Sequence, residues 1–271
     1  MRQKEADLSK LVWEARRYYH EEARAHLPWR ATRDPYKILV SEVMLQQTQV
    51  ERVIPYYKKF IRTYPSARVL ARVSLANVLH VWQGLGYNRR AKYLHEAAKI
   101  LGKSDFPKTV EEIEKLPGVG HYTARAVAAF AFNKPEVFVE TNIRTVFFYH
   151  LGPRRKLSDR QLLPLVERAL AQSQMEPREF YSALMDYGAH LKQQGIKLNA
   201  KSAHYKKQSA FEGSTRQVRG AILRELLKHH STLATLMQRI PLNQQDVANE
   251  LSRLMAEGLV ALHGRYFAIQ D

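Results

Sequence analysis

Apolar residues recur along most of the chain at the three- and four-residue spacing of one helix face. The first such stretch covers residues 8–25. Its shared face consists of Leu8, Leu11, Val12, Ala15 and Tyr19. The same spacing, interrupted by proline, glycine and polar pairs, predicts nine further helices, at 36–47, 53–64, 74–82, 88–101, 109–115, 121–132, 141–151, 159–171 and 179–191. Strand patterns are scarce before residue 258, so the pattern predicts an all-α fold.

The pattern changes towards the end of the chain. Residues 195–213 have few apolar side chains and several lysines, which predicts a linker or an irregular strap. Three predicted helices follow, at 214–229, 233–239 and 243–257. Two alternating segments around Gly264 then predict a β-hairpin. This order is typical of a winged helix-turn-helix, whose third helix would enter a DNA major groove while Arg265 contacts phosphate at the wing tip. A helical cap packed on the main domain fits the same pattern.

The composition favours a polyanionic partner. The 271 residues contain 43 Lys and Arg against 26 Asp and Glu, a formal net charge of +17 spread along the whole chain. Nucleic acid is the simplest partner for such a charge, although an unused basic surface would look the same. The absence of cysteine excludes disulfides, thiol catalysis, thiolate zinc sites and iron–sulfur clusters. No apolar stretch approaches the roughly 20 residues of a membrane span, so we expect an intracellular, cytoplasmic protein associated with the nucleoid.

The segment Leu116-Pro117-Gly118-Val119-Gly120 lies between two predicted helices. A glycine-rich hairpin of this kind exposes backbone N–H groups at the start of the following helix, where they bind a phosphate without reading sequence. A sharp turn between packed helices is the structural alternative. An acidic residue some twenty positions later, Glu140, makes the combination rarer.

The sequence resembles the helix-hairpin-helix DNA glycosylases, within them the MutY-type adenine glycosylases and, more distantly, endonuclease III. The matching segments span residues 27–189: LPWRATRDPYKILVSEVMLQQTQVERVIPYY, VWQGLGYNRRAKYLHEAAK, LPGVGHYTARAVAAFAF, VFVETNIRTVF and LMDYGA. The resemblance implies an all-helical, two-lobed fold with base flipping into a DNA-facing cleft. We expect a helix-hairpin-helix glycosylase core at 1–191, a basic strap at 192–213 and a winged-helix-like domain at 214–271.

The resemblance also implies roles for individual residues. Glu42 matches the general acid that protonates the adenine ring and later handles the water. Tyr122 stands where endonuclease III-type enzymes carry a nucleophilic Lys, and Asn142 matches the Asn two positions after the catalytic Asp. Gln47 and Tyr87 match side chains inserted into the base stack. The expected DNA contacts are Gln46, Gln47, Thr48, Tyr87, Arg89, Arg90, Gly118, Val119, Gly120, His121, Lys206 and Lys207.

Two carboxyl groups suit the chemistry of glycosidic cleavage. One must be protonated to assist the departing base, and one ionised to stabilise the developing cation. Glu42 lies in an apolar stretch, so desolvation is expected to raise its pKa. A carboxylate paired with arginine between packed helices is the structural alternative.

Glu140 departs from the family pattern, which has Asp at this position. The extra methylene moves the carboxylate by about 1.5 Å, and a misplacement of about 1 Å can cost ~10²-fold in rate. A repositioned site, a different substrate and a weak or inactive enzyme stay open. A carboxylate that serves only the helix N-terminus is the structural alternative.

The chain also lacks the four cysteines that hold the iron–sulfur cluster of related enzymes. We expect no cofactor. A monovalent cation bound to the carbonyl groups of the hairpin is the alternative. The strap is predicted to replace the cluster loop, with Lys197, Lys201, Lys206 and Lys207 near phosphate, whereas a solvated linker is the alternative. His190 and His204 form too weak a set for a metal site.

Together these features predict a monofunctional, monomeric DNA glycosylase acting on a mismatched or damaged base in duplex DNA. Because Tyr122 cannot form the Schiff base that a lysine would, a monofunctional enzyme is expected. The resemblance implies adenine opposite 8-oxoguanine or guanine as the leading substrate. Removal of thymine or uracil from G mismatches is one alternative, and lesion binding without catalysis is another. The C-terminal unit is too short for the domain with which MutY enzymes read oxidised guanine, so recognition of the opposite base is open.

Overall fold

A computed structural model of the protein describes residues 2–152, 156–203 and 210–270. Helices dominate these residues, and the single sheet among them is a two-stranded hairpin. The elements are α1 (Arg2–Glu22), α2 (Pro35–Leu45), α3 (Val50–Thr63), α4 (Ala67–Leu70), α5 (Leu75–Trp82), α6 (Arg89–Leu101), α7 (Val110–Glu114), α8 (His121–Phe132), α9 (Thr141–Leu151), α10 (Asp159–Ser173), α11 (Pro177–Gln193), α12 (Thr215–Leu226), α13 (Leu233–Arg239), α14 (Gln244–Ala256), β1 (Val260–His263) and β2 (Tyr266–Ile269).

Every predicted helix is present, which confirms the helical fold class. The short helix α4 and a 3₁₀ turn at Asn199–Lys201 were not predicted, because each is too short for apolar periodicity to show. Ser66 starts α4 by accepting a hydrogen bond from the Val69 N–H. Within the described part of the chain, no helix is both long and apolar enough to cross a membrane.

The chain divides into two compact units. The first consists of Met1–Leu39, Pro107–Lys115 and Val119–Lys207. In this unit α11 packs along α9, and α1 packs against both. The predicted apolar face of α1 is buried at Leu8, Leu11 and Ala15. The core of the unit therefore lies between helices that are distant in sequence.

A buried carboxylate joins α11 to the segment after α1. Asp186 of the LMDYGA motif is 1% exposed. It accepts hydrogen bonds from the backbone N–H of Arg24 at 3.0 Å, from the Arg24 side chain at 2.8 Å and from Arg30 at 3.0 Å. Because the ions lie among packed helices, each one depends on its partners for stabilisation.

The second unit consists of Val40–Phe106, Leu116–Gly118 and Gln208–Asp271. It contains α3 to α6 and the C-terminal helices and hairpin. Strands β1 and β2 pair antiparallel from Val260 opposite Ile269 to His263 opposite Tyr266, with Gly264 in the turn as predicted. Ser231 adds a bridge to Phe267 next to this hairpin.

The C-terminal elements have the predicted order of three helices and a hairpin, and they share a compact unit with α3 to α6. Glu257, just after α14, accepts a hydrogen bond from Arg89 at the start of α6 at 2.7 Å and also pairs with Arg219 of α12. Burial alone would raise the pKa of Glu257, but the hydrogen bonds from Arg219 and Arg89 hold it below its usual value. The predicted placement of α14 in a major groove stays a prediction.

Asp186→Ala is expected to lower the free energy of unfolding by about 3 kcal/mol, because it leaves two arginines without their buried counter-ion. Urea denaturation at neutral pH measures the change. Exposed Asp105 provides the control, since Asp105→Ala should change the value by less than about 0.5 kcal/mol. Equal effects of the two substitutions would contradict the structural role of Asp186.

Candidate active site

Glu140 lies at the N-terminus of α9 and caps that helix with its own side chain. Its Oε1 accepts hydrogen bonds from the backbone N–H of Asn142 at 2.6 Å and of Ile143 at 2.8 Å. The other oxygen, Oε2, accepts none from the residues that the structure describes. Because one oxygen is fixed by the helix and the positive helix end favours negative charge, this carboxylate is held with its second oxygen available for another group.

Aromatic side chains fix the segment that leads to Glu140. The ring of Phe138 stacks on Tyr181 with 3.9 Å between centroids and meets the ring of Tyr122 edge-on at 5.6 Å. The Tyr181 hydroxyl donates a hydrogen bond of 2.6 Å to the carbonyl of Glu136. Tyr122 therefore lies close in the fold to the segment that carries Glu140, and its catalytic role stays a prediction.

Lys192 is turned towards the same helix end. Its Nζ donates a hydrogen bond of 2.6 Å to Oδ1 of Asn142. Burial lowers the pKa of Lys192, whereas the charge of Glu140 raises it. One turn earlier on α11, Gly188 lies so close to Asn142 that an added Cβ would stand 2.3 Å from the Asn142 carbonyl oxygen. Lys192, the first residue of the predicted strap at 192–213, therefore points towards the protein interior.

Glu42 lies on the part of α2 that belongs to the second unit. It is 6% exposed, which confirms the burial expected from the surrounding apolar sequence. The helix ends at Leu45, so the residues predicted to contact DNA follow it directly.

Arg90 stabilises this end of α2. Its Nη1 donates hydrogen bonds to the carbonyl oxygens of Val43 and Met44, each at 2.8 Å, and of Gln46 at 2.5 Å. Its Nη2 reaches the Thr48 hydroxyl at 3.1 Å. Burial lowers the pKa of Arg90 to about 10. Nη1 and Nη2 of Arg90 are thus engaged by oxygen atoms of the protein, and its expected phosphate contact stays a prediction.

Gln47 and Tyr87, the two residues expected to enter the base stack, have left-handed backbone conformations. Their φ angles are +56° and +50°. A bulky side chain rarely adopts this region, and such strain is concentrated at functional sites. Both residues line one groove of the second unit together with Gln46, Thr48 and Arg89.

The glycine hairpin has two different glycines. Gly118 has a φ of +74°, and a Cβ there would stand 2.5 Å from the Cβ of Tyr93. Gly120 precedes α8 without a side-chain cap, and a Cβ there would meet nothing within 4 Å. Val119 between them is buried, while His121 is exposed in the first turn of α8 and accepts a hydrogen bond from Arg125 at 2.9 Å. The first glycine shapes the turn, and the second leaves the helix end open.

Comparison with known proteins decides the family. Residues 40–171 match the HhH-GPD superfamily base excision DNA repair protein. The adenine DNA glycosylase of Mycolicibacterium smegmatis is 35% identical over 268 residues, covering 89% of this chain and 90% of that protein. The chain belongs to the HhH-GPD superfamily of base excision DNA repair proteins.

Two further matches agree with this assignment. The adenine DNA glycosylase of Buchnera aphidicola subsp. Baizongia pistaciae is 39% identical over 177 residues, covering 64% of this chain and 50% of the relative. The chain therefore aligns with about half of that protein. A solved thermostable thymine-DNA glycosylase has a TM-score of 0.60 and 25% identity, covering 74% of this chain and 98% of its own.

The residues of this HhH-GPD protein do not fit the iron–sulfur cluster of the related enzymes, because the chain has no cysteine to supply thiolates. Among the described residues, no group of three or more His, Cys, Asp or Glu side chains is placed to hold a metal ion. His190 lies against the ring of Tyr18, with 4.7 Å between centroids. Lys197 and Lys201 are exposed, and His204, Lys206 and Lys207 lie outside the described residues.

Sequence reasoning missed Asp186 and the inward direction of Lys192. Asp186 stands in the matched LMDYGA segment, and its acidic side chain in an apolar stretch was a usable signal. Lys192 gave no such signal, because it begins a run of polar residues that reads as solvated.

The two glycines of the hairpin should respond differently to alanine. Gly118→Ala is expected to cost about 2 kcal/mol of folding free energy, since it combines a left-handed φ with a steric clash. Gly120→Ala should leave stability within about 0.5 kcal/mol but weaken DNA binding, because its methyl group occupies the open helix end. Thermal unfolding and fluorescence anisotropy with a duplex measure the two effects. Unchanged DNA binding in Gly120→Ala would contradict the phosphate role of the hairpin.

Proposed function

We propose that this protein is a monofunctional DNA glycosylase that flips out a mismatched or damaged base and hydrolyses its glycosidic bond, leaving an abasic site. Adenine opposite 8-oxoguanine or guanine is the proposed substrate, supported by the similarity to two adenine DNA glycosylases. We further propose that the enzyme works as a monomer on chromosomal DNA in the cytoplasm.

The observation that carries this proposal is the carboxylate of Glu140, held at a helix N-terminus by two backbone N–H groups. These are the second and third N–H groups of the helix, the pair that a capping Asp side chain uses. The longer side chain therefore keeps the anchoring expected of Asp. An anchored carboxylate that stays negative can stabilise the positive charge that develops on the sugar. Capping and catalysis are compatible roles for Glu140.

Glu42 is proposed to supply the proton. As the bond between C1′ and the base nitrogen breaks, its electrons pass to the base, and the carboxylic acid of Glu42 protonates the departing ring. The resulting carboxylate then takes a proton from the water that adds to C1′, which restores the acid. Burial of Glu42 in an apolar stretch of α2 suits the role of a proton donor.

A panel of duplexes with A:8-oxoG, A:G, T:G and U:G pairs tests the proposal, with hot alkali to reveal abasic sites. We expect alkali-dependent breaks at adenine in the wild type. Glu42→Gln and Glu140→Gln should each lower the single-turnover rate at least 100-fold, on the order expected for loss of an acid–base group and of an electrostatic stabiliser, respectively. Glu140→Asp should retain activity, because Asp caps the helix equally well.

Other outcomes have distinct meanings. Breaks before alkali would contradict the monofunctional mechanism. Excision at T:G instead would favour thymine removal, the activity for which the thermostable structural neighbour is named. Tight mismatch binding without any abasic product would leave the lesion-binding alternative. Full activity in Glu140→Gln would remove Glu140 from the mechanism.

Lys192 is proposed to position Asn142 and thereby the start of α9. Lys192→Met should lower the excision rate about tenfold, equivalent to about 1.4 kcal/mol, and Lys192→Arg should restore much of it. Because burial lowers the pKa of Lys192, the wild-type rate should fall at a lower alkaline pH than in Lys192→Arg, whose guanidinium stays charged. Single-turnover pH profiles measure this difference.

Exposed Lys108 is the matched control, and Lys108→Met should leave the rate unchanged. Borohydride should trap no covalent complex in any of these proteins. A trapped complex that disappears in Lys192→Met would show instead that Lys192 attacks the sugar.

A further inference from the structure

The C-terminal helices form one wall of a groove in the second unit. The groove has a volume of about 950 Å³. Its other wall includes the segments 46–49 and 83–90, which carry Gln47 and Tyr87, together with Arg52 and Leu79. Helix α12 contributes most of the C-terminal wall, with Arg216 and Arg224 among its side chains.

The lining of the groove is strongly basic. It includes seven arginines and two carboxylates, Glu250 and Glu257. Glu250 pairs with Arg219 and Arg253, and Glu257 pairs with Arg219 and Arg89. Both carboxylates are therefore already neutralised. Arg216 and Arg224 add their charge beyond these pairs, and Arg224 is exposed.

Two guanidinium groups lie next to the ring of Tyr87 in this groove. The carbon of the Arg90 guanidinium lies 5.2 Å from the centre of the ring, and that of Arg216 lies 6.0 Å from it. Arg216 also lies 5.9 Å from the ring of Phe211 and donates a hydrogen bond to the Ala210 carbonyl at 3.1 Å. Planar aromatic and guanidinium groups next to each other are the surfaces on which unstacked bases bind, and arginine binds phosphate with two donors.

We propose that the C-terminal helices of the second unit are part of the DNA interface. The groove then binds the sugar–phosphate backbone of the duplex beside Gln47 and Tyr87. Arg216 and Arg224 contact phosphate in this arrangement. The strained backbones of Gln47 and Tyr87 on the opposite wall are the second observation in favour of a binding site here. The inference rests on the proposed glycosylase function, and it assigns DNA contact to α12 rather than to α14 and the wing.

Fluorescence anisotropy with a duplex containing a tetrahydrofuran abasic analogue tests this assignment across a salt series. Arg216→Ala and Arg224→Ala should each weaken binding several-fold, and each should lower the slope of log affinity against log salt by about one. Arg224 is exposed and on a helix surface, so its variant stays informative if Arg216→Ala folds poorly. Arg216→Lys should keep the salt slope but lose part of the affinity, because a lysine cannot stack on Tyr87.

Arg239→Ala is the matched control, since Arg239 is an exposed arginine of α13 outside the groove. It should bind as the wild type does. Binding by both groove variants equal to that of Arg239→Ala would overturn the inference. Weaker DNA binding by Arg265→Ala, together with unchanged binding by the two groove variants, would also overturn it. That result is expected for a winged-helix contact. If either of these binding results occurs and base excision is normal, the proposed function stands and only the inference fails. If the groove variants weaken DNA binding but the wild type excises no base, only the proposed function is contradicted.

Discussion

The two hydrogen bonds from the first turn of α9 to Glu140 are the contacts around which the first unit is arranged. They fix one carboxylate oxygen and depend on the position of the helix end. That position is maintained from two directions. Phe138 is packed between Tyr122 and Tyr181 on the side of the incoming chain, and α11 lies against the helix itself. Gly188 permits the close approach, and Lys192 binds the Asn142 side chain.

Arg90 has a comparable place in the second unit. A single guanidinium satisfies three carbonyls at the end of α2 and also reaches the loops that carry Gln47 and Tyr87. Each of those loops contains a residue with a strained φ, which persists only where the surroundings over-determine the backbone. The hydrogen bonds of Arg90 supply part of that determination. Arg90 thus connects the end of α2 to both loops.

Local signals in the sequence were sufficient for the helices and for the glycine hairpin. The spacing of apolar residues predicts helices, and the pair of glycines predicts a tight turn, where a positive φ favours glycine. Both signals are local and need no knowledge of distant residues. The inward turn of Lys192 and the burial of Arg90 could not be read in this way. Each depends on a partner about 45 to 50 residues away in sequence, and only packing decides whether a basic side chain meets a carbonyl or water. Asp186 and its pairing with Arg24 depend on a still longer separation.

The basic charge of the chain has two different physical uses. Arg24, Arg30 and Arg90 are partly or fully removed from water and stabilise carboxylates or helix ends, so they contribute little to a long-range field. Arg216 and Arg224 lie in an open groove where the nearby carboxylates already have partners. A polyanion is attracted by charges that face an open groove, because binding there releases its counterions. Net charge therefore indicated the partner, and in our proposal the distribution of ion pairs favours α12 as the surface that contacts it.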